Sequence, residues 1–200
     1  MPNRDIRMKV YLILLTVICV LLISFSSYDM RQERNRHSEK MYVLNLQTEH
    51  KVEQELQEEK NNQKIVDMIL SLNPKVDKGI ASIIAKSIKE SCEKYELSEP
   101  LVVSLMFKES AFNPLSISSA RCIGLLQINP VAHPKKVKPY KRYELFHIEV
   151  NISIGCQILS QYIKKKGSVK GALINYLGAQ NQSYLISVLS NCIELQRKFK

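Results

Sequence analysis

Two hundred residues, 45% of them hydrophobic, are enough for one packed domain and an appendage. The formal charge of +10 is unevenly placed: residues 1–73 carry ten Lys/Arg against ten Asp/Glu, and residues 74–200 carry nineteen against nine. A basic second part suits an anionic partner such as nucleic acid, an acidic membrane or an anionic polymer. A solvated lysine surface explains the runs Lys135–Arg142 and Lys164–Lys166 equally well. No nucleic-acid-binding signature accompanies the charge, so nucleic acid is not expected as a partner.

A short basic N-terminus, residues 1–9, precedes Val10 to Tyr28, nineteen residues without a charge. At 1.5 Å per residue that run nearly matches a hydrocarbon thickness of roughly 30 Å. Arg4, Arg7 and Lys9 would also serve a cleaved signal peptide, but the run is long for one and no A-x-A-like site follows. The expectation is therefore an uncleaved transmembrane signal anchor over 10–28. Positive charge on both sides leaves its orientation weakly set.

Residues 29–73 are polar and charged, with a loose apolar stripe from Met41 and Leu44 through Val52, Leu56, Val66 and Ile69/Leu70. They read as a helical stalk, with a boundary at Asn73-Pro74 because the residue before proline is pushed out of the α region. Beyond it nearly every periodic segment is helical, so residues 74–200 are expected to form a mainly α domain. Asp77 to Tyr95 puts Ile80, Ile83, Ile84 and Ile88 on one face. Ser98 and Pro100 open a second helix as N-cap and first-turn proline. Further helices are expected over Asn151–Lys165, over Ser168–Leu177 with Gly178 as C-cap, and over Tyr184–Phe199. The irregular segment Ala111–Arg142 is long enough to suggest function.

In the apolar run before that segment, Glu109 follows Val102, Leu105 and Met106 by seven, four and three residues. At 3.6 residues per turn it shares their core-facing stripe. Desolvation there, and the negative end of the helix dipole, both raise a carboxyl pKa and suit a general acid. The alternative is a helix leaving the core at its last turn, with Glu109 paired to Lys108 or Arg121. The cysteines decide less. Cys92, Cys122, Cys156 and Cys192 are scattered, with no C-x-x-C pair and no metal-ligand spacing to the four histidines. Disulfides in an exported domain and buried free thiols both remain open.

The string Glu109-Ser110, Phe112, Asn113-Pro114, Ser118, Gly124-Leu125-Leu126-Gln127 and Pro130 resembles the signature of the lysozyme-like lytic transglycosylases, the family of the soluble lytic transglycosylase (SLT) catalytic domain. Asn151-Ile152 with Gly155 resembles the family's Asn-Ile-x-x-Gly helix, and Ala172–Ala179 sits where the family has its Ala-Tyr-Asn stretch. The resemblance spans about residues 80–190 and implies a lysozyme-like helical fold, related to goose-type lysozyme. It departs at Arg121-Cys122, where the family has a Gly-Ala pair, and at Leu126 and Leu177, where it has Met and Asn.

The resemblance implies Glu109 as sole catalytic acid/base, with Ser118, Gly124, Gln127 and Tyr176 toward the substrate; Tyr176 also reads as a core aromatic with a satisfied hydroxyl. It implies cleavage of the β-1,4 bond between N-acetylmuramic acid and N-acetylglucosamine in peptidoglycan, leaving a 1,6-anhydro end. No metal or cofactor is needed, and the absence of any Asp or Glu between Glu109 and Glu144 fits an internal nucleophile. Lysozyme-type hydrolysis and a non-catalytic glycan-binding or scaffold module are the alternatives. The expected location is the cytoplasmic membrane, single-pass, with the domain on the periplasmic side, and a cell-envelope or secretion assembly is a conceivable partner.

Overall fold

The computed structural model describes residues 4–178 and 181–200, and is helical apart from one irregular stretch. The helices are α1 (Arg4–Leu72), α2 (Lys78–Tyr95), α3 (Glu99–Ser110), a single turn α4 (Pro134–Val137), α5 (Ile148–Lys166), α6 (Val169–Leu177) and α7 (Gln182–Lys198), with a 3₁₀ turn at Arg142–Phe146. The chain divides into two units, Met1–Leu56 and Gln57–Lys200.

In the first unit, the helix from Tyr11 is long and apolar enough to cross a membrane by length and composition. Its apolar side chains, Leu12 to Phe25 among them, are exposed. The few hydroxyls in that run turn back on their own helix: Thr16 donates to Ile13 O, Ser24 to Leu21 O and Ser27 to Ile23 O, at 2.8–2.9 Å. Polar groups satisfied within the segment are what a hydrocarbon surrounding requires.

The second unit begins earlier than the Asn73-Pro74 boundary. Ile65, Val66, Met68 and Ile69 are all buried in its core. The apolar stripe read as the end of a stalk therefore belongs to the globular unit, and the break at Pro74 is a corner inside it. Asn73 closes that corner, donating from Nδ2 to Ala111 O at 3.0 Å.

Caps set most helix ends. Asp77 Oδ1 accepts the Ile80 N–H (3.0 Å) at the start of α2, Ser168 Oγ accepts that of Gly171 (3.2 Å) at α6, and Asn181 Oδ1 that of Tyr184 (3.0 Å) at α7. Ser98 stands at the N-cap of α3 without a side-chain bond, and Gly178 ends α6 with φ +76°. The buried face of α2 is Ala81, Ile84, Ala85, Ile88 and Cys92, whereas Ile83 is 44% exposed. Ile84 and Ile88 thus face the core as expected and Ile80 packs against it half-buried, while Ala81 and Ala85 fill the contact in place of Ile83. Helix α3 packs on α7 and α2, and α5 packs on α2 and α6. Cys92, Cys156 and Cys192 are buried free thiols, and Cys122 is half-buried.

Candidate active site

Val102, Leu105 and Met106 are fully buried, so the stripe they define carries Glu109 inward at the last turn of α3. Glu109 is half-buried and its neighbour Lys108 exposed. Among the described residues Glu109 makes no ion pair with Lys108 or Arg121; its Oε1 instead accepts the phenolic O–H of Tyr184 from α7. Burial raises the Glu109 pKa, while the Tyr184 bond and the Lys108 charge pull it back. Tyr184 is itself pushed up, by burial first and then by the Glu109 charge and hydrogen bond, so it remains a donor. With Oε1 engaged, Oε2 is the oxygen free to carry and deliver a proton.

The segment that follows is a compact hairpin-like loop. Isolated bridges join Ile117 to Ile123 and Ile123 to Ile128, and the Gly124 N–H donates to Ser116 O at 2.8 Å. Ser110, beside Glu109, donates to Leu125 O at 2.8 Å and so fastens the loop to α3. From the other side, fully buried Asn151 of α5 holds it with two bonds and ties it to the 3₁₀ turn with a third. Its Oδ1 accepts the Leu126 N–H (2.8 Å), and its Nδ2 donates to Ile123 O (2.9 Å) and Leu145 O (2.7 Å). One turn on, Gly155 leaves room for Leu126: an added Cβ would lie 2.7 Å from Leu126 Cβ. The Asn-Ile-x-x-Gly pattern is thus the socket into which Gly-Leu-Leu-Gln fits.

Each residue expected at the site has a definite setting here. Ser118 Oγ accepts the Cys122 N–H at 3.1 Å across a tight turn, which leaves its own proton for another acceptor. Gln127, with φ +46°, spends its amide N–H groups on Gly124 O (2.9 Å) and Ser116 O (3.3 Å), and its Oε1 remains an acceptor. Tyr176 donates to Leu126 O at 2.8 Å, so its hydroxyl braces the loop. It lies within electrostatic reach of Glu109, Tyr184 and Cys122, and burial raises its pKa well above the usual range.

Gly124 has a packing role within the loop's own seat. It is buried, and a Cβ there would run into the Asn151 side chain and Leu145 O. Close approach of protein to protein requires this glycine, together with its φ of +77°. Arg121 explains itself similarly. Its φ of +61° is a left-handed conformation in which the family's glycine is unstrained and arginine is not.

Tyr184 is the residue of the candidate site that the sequence patterns did not single out, whereas Asn151 was marked only as part of the Asn-Ile-x-x-Gly pattern. Tyr184 lies on the same stripe as the buried Val188, Cys192 and Leu195, and a buried phenol needs a partner. The later carboxylates stand apart: Glu144 Oε2 caps the 3₁₀ turn by accepting the Lys141 N–H (2.6 Å), and Glu149 is exposed in the first turn of α5. Among the described residues no cluster of His, Cys, Asp and Glu suits a metal ion.

A helix-borne carboxylate faces a loop locked onto the Asn-Ile-x-x-Gly helix, and residues 86–183 match the family model of the transglycosylase SLT domain. Among curated proteins the chain is 34% identical over 91 residues to the membrane-bound lytic murein transglycosylase E of Buchnera aphidicola subsp. Acyrthosiphon pisum, covering 42% of this chain and 41% of that one. It is 35% identical over 81 residues to the membrane-bound lytic murein transglycosylase C of Histophilus somni, covering 36% of this chain and 22% of the relative. The chain thus spans less than half the length of these relatives. Among solved structures, an inactive mutant of the lytic transglycosylase Slt from Pseudomonas aeruginosa superposes with a TM-score of 0.47 at 17% identity, over 56% of this chain and 24% of that one.

Proposed function

We propose that the protein is a peptidoglycan lytic transglycosylase, anchored in the cytoplasmic membrane by residues 10–28, with its SLT domain on the extracytoplasmic side. The observation that carries this reading is the half-buried Glu109, bonded through one oxygen to Tyr184 and raised in pKa by burial. Protonated on Oε2, Glu109 donates to the glycosidic oxygen as positive charge develops at C1 of the muramic sugar. The carboxylate that remains is stabilised by the Tyr184 O–H, a charge-assisted bond stronger than the neutral one before it. Glu109 then accepts the proton of the muramic C6 hydroxyl as its oxygen attacks C1, closing the 1,6-anhydro ring and restoring the starting protonation state.

One carboxylate suffices because the sugar supplies the nucleophile; ordinary glycosidases need a second at a set separation. Gln127 Oε1 and the Ser118 hydroxyl offer an acceptor and a donor for the N-acetyl and hydroxyl groups of the glycan. Tyr176, bonded to Leu126 O, acts in this scheme by bracing the loop. The test is to digest purified cell wall with the full chain in uncharged detergent and analyse the products by mass spectrometry. Anhydro-muropeptides support the transglycosylase. Reducing muramic ends identify a hydrolase, and intact wall with retained binding identifies a glycan-binding module.

A further inference from the structure

The helix that sockets the catalytic loop has a reverse side that this chemistry does not use. Gly155 faces Leu126. Ser153 and Gln157 lie two residues either side of it, about 200° around a helix of 3.6 residues per turn. They floor a hollow of about 460 Å³, walled by Lys94 and Tyr95 at the end of α2 and by Lys135 and Lys136 of α4. No Asp or Glu lines it. The ion pairs found among the described residues lie elsewhere, at Lys51–Glu55, Lys89–Glu58 and Lys164–Glu96, so no carboxylate comes within 4.0 Å of these three ammonium groups.

Three uncompensated ammonium groups around one concavity repel each other, and an anion placed among them relieves that repulsion. Lys136 is half-buried, and its desolvation weakens its hold on its proton until an anion arrives. The Tyr95 hydroxyl and Ser153 Oγ, 3.3 Å apart, share one hydrogen bond, which leaves a second hydroxyl proton to donate into the hollow. The chemistry of the donors selects among anions. Arginine forks match planar carboxylates, whereas lysines act as point charges suited to tetrahedral phosphate, and this hollow is lined by lysine without arginine. A stacked sugar is disfavoured, since Lys94 Nζ sits 5.3 Å over the Tyr95 ring.

We propose that this hollow binds a phosphate group, of the phosphodiester kind found in anionic polymers and phospholipid headgroups, on the side of α5 opposite the Glu109 loop. Such a site would tether the domain to an anionic surface while the catalytic loop stays free. It does not depend on the transglycosylase reading.

The test uses the full chain in uncharged detergent and fluorescein-labelled poly(glycerol phosphate), with binding read by anisotropy at fixed ionic strength. A Lys94→Gln, Lys135→Gln, Lys136→Gln variant is compared with a Lys164→Gln, Lys165→Gln, Lys166→Gln variant, which removes the same charge from outside the hollow. The expected result is at least tenfold weaker binding for the first and less than threefold for the second, with unchanged melting temperatures. Equal losses in both, or none in either, would overturn the site by reducing it to net charge. Competitors decide the ligand. Inorganic phosphate should displace the probe where poly-glutamate of equal charge does not, and equal displacement contradicts the phosphate assignment. Displacement by soluble short-chain phosphatidylglycerol, beyond what inorganic phosphate achieves, identifies the lipid headgroup as the source; its failure identifies a free polymer. Since no wall is cleaved in this assay, its outcome is separate from that of the digestion.

Discussion

The two walls of the candidate site are held by different physics. The loop wall, residues 111–130, is fixed by neutral contacts: two bonds from buried Asn151, one each from Ser110 and Tyr176, and the Leu126–Gly155 fit. That hold keeps four non-glycine residues, Ala111, Phe112, Arg121 and Gln127, at positive φ. The carboxylate wall rests on a single side-chain hydrogen bond, from Tyr184 to Glu109, between α3 and α7. The lesson is a division of labour. Geometry is set by uncharged groups that do not respond to pH, and proton affinity by two side chains whose balance one hydroxyl can change.

Removing the hold on the loop should cost most. Asn151→Leu keeps the volume but leaves the Leu126 N–H and the Leu145 carbonyl unpaired in the core, while Ile123 O keeps only the Ile128 N–H. Each such loss costs about 1–3 kcal/mol, so unfolding in urea should show roughly 3–5 kcal/mol of destabilisation. A loss below about 1 kcal/mol would mean the loop is held by something else.

On the carboxylate wall, Tyr184→Phe should leave stability nearly intact and lower wall-cleaving turnover about tenfold, the scale of one charge-assisted bond. The Tyr184 bond lowers the Glu109 pKa, so without it the alkaline limb of the pH–rate profile should move to higher pH. An unmoved limb would separate Tyr184 from the proton.

Glu109→Gln tests the same wall through stability. A carboxyl whose pKa is raised on folding binds its proton more tightly in the folded state. Its contribution is therefore fully present below the unfolded value of about 4.3 and is lost as pH rises through the folded pKa. The Gln variant, always neutral, should match the wild type in acid and be the more stable of the two near neutral pH. A gain that is the same at every pH would contradict the desolvation account. Smallest of all, Arg121→Gly relieves one left-handed residue in the loop and should stabilise by up to about 1 kcal/mol in the same denaturation experiment.

The carboxylate wall was the more legible in sequence. Glu109 follows from helical periodicity alone, since Val102, Leu105 and Met106 are the residues that bury. Its partner did not, because Tyr184 is 75 residues away and only the packing of α3 on α7 brings them together. Local signals gave α2, α6 and the ends of α3 and α5 within a few residues, as caps and left-handed glycines are local events. The core segment Ile65–Ile69 escaped because its stripe continues an exposed helix, and nothing local distinguishes solvent from a packed neighbour. Gly124 was visible as a glycine with a reason, but the reason lay in Asn151, across the fold.

The central claim is that Glu109 alone supplies and recovers the proton. It is tested most directly by comparing the release of anhydro-muramic ends from purified wall by the wild-type chain and by Glu109→Gln, both with confirmed melting temperatures. The account predicts that Glu109→Gln, at least as stably folded as the parent, loses activity by about a thousandfold or more. Activity within tenfold of wild type would contradict it.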